Sequence, residues 1–237
     1  AMNLEARHLF EAVFNTIYIT IVVILAAKMF LRLDRVEMRS RRAAGCMAAA
    51  FALLILGDFL HLLFRMIGFA RGTMDITGPL GLNLVGLGSL ATYITLTLFY
   101  IVMLYALQSR FQKPFGITGA LLLSAACIRL LFIVVSGNQW SSPLPVQPWF
   151  TYRTIPFIIQ QGGTGLLFLV SGLKARDTCF TLIGMMMITA CLAFVPFTLF
   201  IHRYPVVGML MVPITITYII MAYTAYYGYF RASDSQG

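Results

Sequence analysis

Three ionisable side chains lie close together in an apolar stretch of the sequence. Asp58, His61 and Arg65 are spaced i, i+3 and i+7, which places them on one face of a helix. A carboxylate and an imidazole at this spacing could act as an acid–base pair, and a guanidinium could bind an oxyanion. Because ionisable groups inside an apolar helix are costly in a membrane, all three are candidate functional residues.

A second guanidinium, Arg129, lies inside another apolar stretch. The same number of residues separates Gly45 from Asp58 and Gly116 from Arg129, and both glycines begin apolar runs. Asp58 and Arg129 are therefore expected at about the same depth, about 20 Å at about 1.5 Å per residue. We predict that the two side chains pair, either as part of a ligand site or only to hold their helices together.

Two amides and three glycines interrupt a further apolar run at residues 160–165. This composition weakens a helix, and broken helices at the membrane midplane often line substrate sites. The alternative is close helix packing through small residues, with the amides as hydrogen-bonding groups. With Arg153 at the start of this run and Tyr218 in the last one, the candidate ligand-binding residues are Asp58, His61, Arg65, Arg129, Arg153, Gln160, Gln161 and Tyr218.

The elements that position these residues follow from the composition. Of 237 residues, 60% are hydrophobic and 11% are charged, and the mean hydropathy is +0.87. Soluble domains are about 45–50% apolar and about 25% charged. The chain is thus predicted to be an all-α, polytopic membrane protein, with residues 1–237 forming a single domain of seven helices that each need roughly 20 apolar residues.

Apolar runs and breakers define the seven predicted spans. The first is expected to be a permanent helix and not a cleaved signal, because its apolar run is too long and a basic cluster follows it. The spans are Leu9–Leu31, Gly45–Ile67, Leu82–Leu107, Gly116–Ser136, Tyr152–Leu173, Cys179–Ile201 and Val206–Phe230.

Basic residues predict the orientation of these spans. The net charge of +9 could suggest nucleic-acid binding, but one set of loops accounts for most of it. That set holds Lys28, Arg32, Arg35, Arg39, Arg41, Arg42, Arg110, Lys113, Lys174, Arg176 and Arg231. Because cytoplasmic loops collect Lys and Arg, we predict a cell-membrane protein with its N-terminus outside, its C-terminus cytoplasmic and no nucleic-acid partner.

With this orientation, the candidate residues concentrate in the outer half of the membrane. Their bases outnumber their acids, which favours an outward-facing cavity that binds a small anionic or amphipathic molecule. A transporter or a ligand-sensing receptor is the first hypothesis. The alternatives are an intramembrane enzyme acting on a lipid through Asp58 and His61, and a subunit of a membrane complex.

No cofactor is predicted, and membrane lipids are the expected surroundings. A retinal protein needs a lysine in its last helix, and this chain has none there. The three histidines are not spaced for a metal-binding helix, and the four cysteines lack metal-ligand spacing. No metal site and no catalytic set is therefore assigned.

Three motifs resemble an uncharacterised family of bacterial seven-helix membrane proteins. They are Gly57-Asp58-x-x-His61-Leu62-x-x-Arg65, Tyr152-Arg153-x-Ile155-Pro156-Phe157 and Gly208-Met209-Leu210-Met211-x-Pro213. The resemblance implies seven helices over most of the chain and no particular activity. Some relatives carry Lys-Thr after the last proline, where this chain has Ile214-Thr215.

Weak matches between the first and last three helices also predict a parallel 3+1+3 repeat, with coincidence as the alternative. That arrangement is similar in topology to SWEET and PQ-loop transporters.

Overall fold

The protein is all-helical, as predicted. A computed structural model describes residues 4–78, 81–112, 114, 116–142, 145–201 and 203–231. Within these ranges, seven helices are long and apolar enough to span a membrane. They are α1 (Leu4–Arg32), α2 (Met38–Ala70), α3 (Leu84–Phe111), α4 (Gly116–Val134), α5 (Trp149–Ala175), α6 (Thr178–Phe200) and α7 (Met211–Tyr226). The fold therefore indicates a multi-pass membrane protein.

Several helix boundaries differ from the predicted ones, and the starts of α2 and α7 show why. α2 begins at Met38 and not at Gly45, so much of the expected basic loop is helical. Its first turns are rich in arginine, methionine and alanine. All three are good helix formers, and the charge of arginine does not prevent it from extending a helix. α7 begins at Met211, after a 3₁₀ turn over Pro205–Leu210. Pro213 thus falls in the first turn of α7, where a missing N–H breaks no intrahelical bond.

The seven helices form a ring in chain order. Each helix contacts the next one along the chain, and α7 contacts α1 to close the ring. Across the ring, α3 also contacts α5, and α2 also contacts α7. As a result, α3 lies between α2 and α4, and the side chains of α3, α5 and α7 share the interior. The 3+1+3 repeat stays a prediction, because the order of helices around the ring does not test it.

Glycines allow two very close helix contacts. On α2, a Cβ added at Gly57 would lie 1.9 Å from Thr95 Oγ1 of α3, and the Gly57 carbonyl accepts a hydrogen bond from Thr92 Oγ1 at 3.0 Å. On α6, a Cβ at Gly184 would lie 2.4 Å from the backbone nitrogen of Leu169 on α5. These approaches leave no room for any side chain.

The interruption expected at residues 160–165 is absent, because α5 is continuous from Trp149 to Ala175. Its glycines serve close packing instead. A Cβ at Gly163 would lie 2.4 Å from Leu122 of α4, and one at Gly165 would lie 2.9 Å from Met187 of α6. Tight packing against α4 and α6 offsets the cost of about 1 kcal/mol that each helical glycine imposes.

Arg110 joins three chain segments at the basic end of the bundle. Its Nη1 donates to Ser40 Oγ of α2 at 3.1 Å, and its Nε and Nη2 donate to Asp177 Oδ2 at 3.1 and 3.0 Å. Its guanidinium carbon also lies 5.7 Å from the ring centroid of Tyr229. The basic segments predicted to share one side of the membrane therefore meet at one end of the bundle; Lys113 lies outside the described residues.

Replacing Asp177 with alanine is expected to lower the free energy of unfolding by about 1–3 kcal/mol. Asp177 is the N-cap of α6, accepting from the Phe180 amide at 3.2 Å, and it also pairs with Arg110. A lost cap costs about 0.5–2 kcal/mol, and a partly exposed ion pair adds up to about 1. Equilibrium unfolding in mixed micelles measures the loss.

Asp177→Asn is the matched control for the cap, because an amide oxygen also caps a helix, so most of the stability should remain. Asp34→Ala is the control for an exposed pair. Asp34 forms a salt bridge with Arg41, but its side chain is 90% exposed, and its loss should cost less than about 1 kcal/mol. Equal losses in all three variants would contradict a special role for the Arg110 junction.

Candidate functional site

Two arginines are fully buried in the bundle. Arg129 of α4 and Arg153 of α5 are each 1% exposed, and they are the largest fully buried side chains among the described residues. Neither forms a salt bridge with a carboxylate that the structure describes. Burial of unpaired guanidinium groups is costly, which makes their surroundings the first place to look for a binding site.

Aromatic rings surround the Arg129 guanidinium. Its central carbon lies 3.8 Å from the ring centroid of Phe157 and 5.4 Å from that of Tyr93. Its Nε and Nη1 have no hydrogen-bond partner among the described residues. A cation–π contact contributes about 0.5–2 kcal/mol, whereas removing an ion from water costs several kcal/mol. The rings therefore offset only part of the cost of burying this charge.

Arg153 is held at one edge of the same interior. Its Nη1 donates a hydrogen bond to Asn138 Oδ1. Its central carbon lies 4.5 Å from the Trp140 ring centroid and 4.6 Å from that of Tyr93. Its Nε has no partner in the described part of the chain. Asn138 and Trp140 thus fix and cover this guanidinium from the segment that follows α4.

The end of α4 explains why Asn138 occupies this position. The last carbonyls of a helix have no intrahelical donors. Asn138 Nδ2 donates to the carbonyls of Ile133 at 3.3 Å and Val135 at 3.0 Å, and Trp140 Nε1 donates to Ile133 at 3.1 Å. Neither Asn138 nor Trp140 was predicted as a site residue from the sequence. The available signal was an asparagine and a tryptophan directly after an apolar run in a polar segment.

The two guanidinium groups share the ring of Tyr93. Their central carbons cannot be further apart than 5.4 Å plus 4.6 Å, because both distances are measured to that one centroid. The charges also act directly on each other. Like charges this close in an apolar interior repel, so an anion between them would remove an unfavourable interaction.

Unpartnered acceptors lie on the buried face of α5. Gln160 Nε2 donates to the Thr97 carbonyl of α3 at 3.1 Å, which is the amide contact expected between packed helices. Among the described residues, Gln160 Oε1, Gln161 Oε1 and Thr164 Oγ1 have no partners, and all three side chains are buried. Such groups can receive donors from a ligand or a water molecule.

A row of tyrosines links the arginines to Asp58. The Tyr18 hydroxyl of α1 donates to Asp58 Oδ2 at 2.6 Å, and the hydroxyls of Tyr100 and Tyr218 are 3.0 Å apart. Tyr218 of α7 interacts electrostatically with both Asp58 and Arg129. The predicted site residue Tyr218 is therefore close enough to interact with both the carboxylate and the guanidinium.

The predicted pairing of Asp58 with Arg129 is wrong. The two side chains form no salt bridge, and their helices, α2 and α4, each pack on α3. Asp58 turns toward Tyr18 on α1, while Arg129 packs on rings from α3 and α5. Equal depth in the membrane was not sufficient to predict this pair, because depth does not show which helices are neighbours.

The three residues expected on one face of α2 have different surroundings. Asp58 contacts α1, whereas His61 Nδ1 lies 3.5 Å from Ser89 Oγ of α3. Arg65 stacks near Phe69, with 5.8 Å from its central carbon to that ring centroid, and lines a crevice beside α1. Asp58 and His61 are not hydrogen-bonded to each other.

The expected cavity is closed in this structure. Arg129, Arg153, Gln160 and Gln161 are buried.

Within the described part of the chain, no group of three His, Cys, Asp or Glu side chains could hold a metal ion. The four cysteines are free.

The fold and the buried charges define a helical, multi-pass membrane protein with an unbalanced polar interior. No protein-family model matches the sequence, and no curated protein matches it.

Proposed function

We propose that this protein binds a small anion at Arg129 and Arg153, and that it is a transporter or a ligand-sensing receptor of the cell membrane. The observation that carries the proposal is the Arg129 guanidinium, which is buried without a described carboxylate partner and with two nitrogens unpartnered. A carboxylate or phosphate group would supply both the missing charge and the missing acceptors.

The charges of the interior support an anion over a cation or a neutral ligand. Arg129, Arg153 and Asp58 together carry one excess positive charge when Asp58 is ionised. A singly charged anion would balance them. The aromatic rings of Tyr93, Phe157 and Trp140 would pack against the apolar part of an amphipathic ligand.

Ligand entry requires movement, because the site is closed. Arg110 ties together the segments at the basic end, while the other end is covered by Trp140 and the segment after α4. We propose that the basic end is cytoplasmic, with the N-terminus outside, and that the site opens toward the Trp140 end.

The test is anion binding by wild-type protein and Arg129→Met in detergent. Acetate, succinate and inorganic phosphate are added at constant ionic strength, and thermal unfolding is recorded. At a concentration 100 times its Kd, a bound anion stabilises the folded protein by about 2.7 kcal/mol. At least one anion should raise the unfolding temperature of the wild type, and none should raise that of Arg129→Met.

Arg71→Met is the matched control, because Arg71 is exposed at the end of α2. Its response to anions should equal that of the wild type. Equal stabilisation of all three proteins would contradict the proposed site. Radiolabelled anion uptake into proteoliposomes then separates the two roles, since a transporter moves the anion and a receptor does not.

A further inference from the structure

We propose that anion binding at this site is coupled to proton uptake by Asp58. The inference rests on the proposed function and adds the ion that accompanies the anion. In this scheme a proton from solvent adds to an Asp58 carboxylate oxygen, an anion occupies the arginine site, and no covalent bond is made or broken elsewhere.

Asp58 is placed where no cation holds it in its ionised form. Within the described residues its carboxylate forms no salt bridge, and its hydrogen bond comes from the Tyr18 hydroxyl at 2.6 Å. Among the side chains that the structure describes, the titratable groups facing Asp58 from neighbouring helices are Tyr18 of α1 and Tyr218 of α7. On the α3 side, the contacts of Gly57 are the uncharged Thr92 and Thr95.

Polar and aromatic side chains link Asp58 to the arginines. Tyr218 interacts with both Asp58 and Arg129, and its hydroxyl is 3.0 Å from that of Tyr100. Tyr100 lies 5.6 Å from Phe157, centroid to centroid, and Phe157 in turn packs on Arg129. A change of charge at Asp58 is therefore felt at the anion site through adjoining groups.

A crevice lies between α1 and α2 within about one helical turn of this region. It is lined by Asn15, Leu62 and Arg65, among others, and its volume is about that of one water molecule. Asn15 and Leu62 lie about one helical turn from Tyr18 and Asp58 respectively. Asp58 itself is only partly buried, whereas Arg129 is fully buried. Asp58 is therefore less enclosed by protein than Arg129 is.

The charges determine the direction of coupling. With Asp58 ionised, the interior has one excess positive charge; with Asp58 protonated, it has two. Protonation therefore strengthens anion binding, and by linkage anion binding strengthens proton binding to the same degree. For charges separated by roughly 10 Å at an effective dielectric constant of about 20, the effect is on the order of tenfold in affinity.

The experiment measures protons taken up when acetate, succinate or inorganic phosphate binds to the purified protein. A pH indicator follows uptake in weakly buffered solution, and the signal from Arg129→Met is subtracted to remove titration of the anion itself. At the pH where uptake is greatest, the wild type should take up about half a proton per anion bound, which is the most that a tenfold coupling allows. Asp58→Asn should bind the anion roughly tenfold more tightly at pH 8 and take up none.

Asp75→Asn is the control, because Asp75 is an exposed carboxylate and its uptake should match the wild type. Binding that depends on Arg129 but takes up no proton, or equal uptake by Asp58→Asn, overturns the coupling alone. Absence of any binding that depends on Arg129 overturns the proposed function and the coupling together.

Discussion

Replacing Arg129 with methionine is expected to raise the free energy of unfolding by about 1–4 kcal/mol when no anion is present. The guanidinium is fully buried, and among the described residues its Nε and Nη1 are unpartnered and no carboxylate pairs with it. Replacing buried ionic groups with apolar side chains of similar volume is neutral or stabilising by that amount. The methionine sulfur also packs favourably on an aromatic ring such as Phe157.

Equilibrium unfolding in mixed micelles, with anions removed by dialysis, measures this change. Arg71→Met should shift the free energy of unfolding by no more than about 0.5 kcal/mol, because the side chain is exposed. A clear loss of stability in Arg129→Met would show that the guanidinium already has a strong stabilising partner. The same variant should lose anion binding, so stability and function would move in opposite directions.

Replacing Gly184 with alanine is expected to lower the free energy of unfolding by at least about 1–3 kcal/mol. The added Cβ would lie 2.4 Å from the backbone nitrogen of Leu169, 2.8 Å from its Cα and 2.9 Å from the carbonyl oxygen of Gly165. All three atoms are backbone, so no side chain can rotate away. The added methyl group overpacks the interface unless α5 and α6 move apart, and moving apart opens their packing. Either change destabilises the protein.

Gly45→Ala is the matched control for this substitution. Gly45 also lies in a helix, but its added Cβ would meet only Leu33 side-chain atoms at 3.7 and 3.8 Å. Removing a helical glycine at such a site should stabilise the protein by up to about 1 kcal/mol. Changes of the same sign in both variants would mean that α5 and α6 do not approach as closely as described.

The sequence predicted the number and positions of the helices because apolar run length is a strong and local signal. It predicted the boundaries less well. Arginine-rich residues 38–44 are polar, yet they continue α2, since hydropathy does not report helix propensity. The six-residue glycine-rich segment of α5 looked like an interruption, because only the neighbouring helices show that close packing compensates for it.

The candidate site was predicted in part. Charge inside an apolar run identified Arg129, and both it and Arg153 proved to be buried. Their partners depend on the order of helices around the ring, which no local pattern contains. Tyr93 and Asn138 carry no unusual sequence signal. They matter only because α3 and the segment after α4 bring them to the guanidinium groups.

The segment after α4 has a consequence for how the protein can be observed. The chain contains two tryptophans. Trp140 lies against Arg153, and Trp149 packs on Tyr152 in the first turn of α5. All indole emission of the native protein therefore originates at the end where Arg153 is covered. The wild-type chain carries its own optical reporter of that end, with no dye or engineered label needed to follow it.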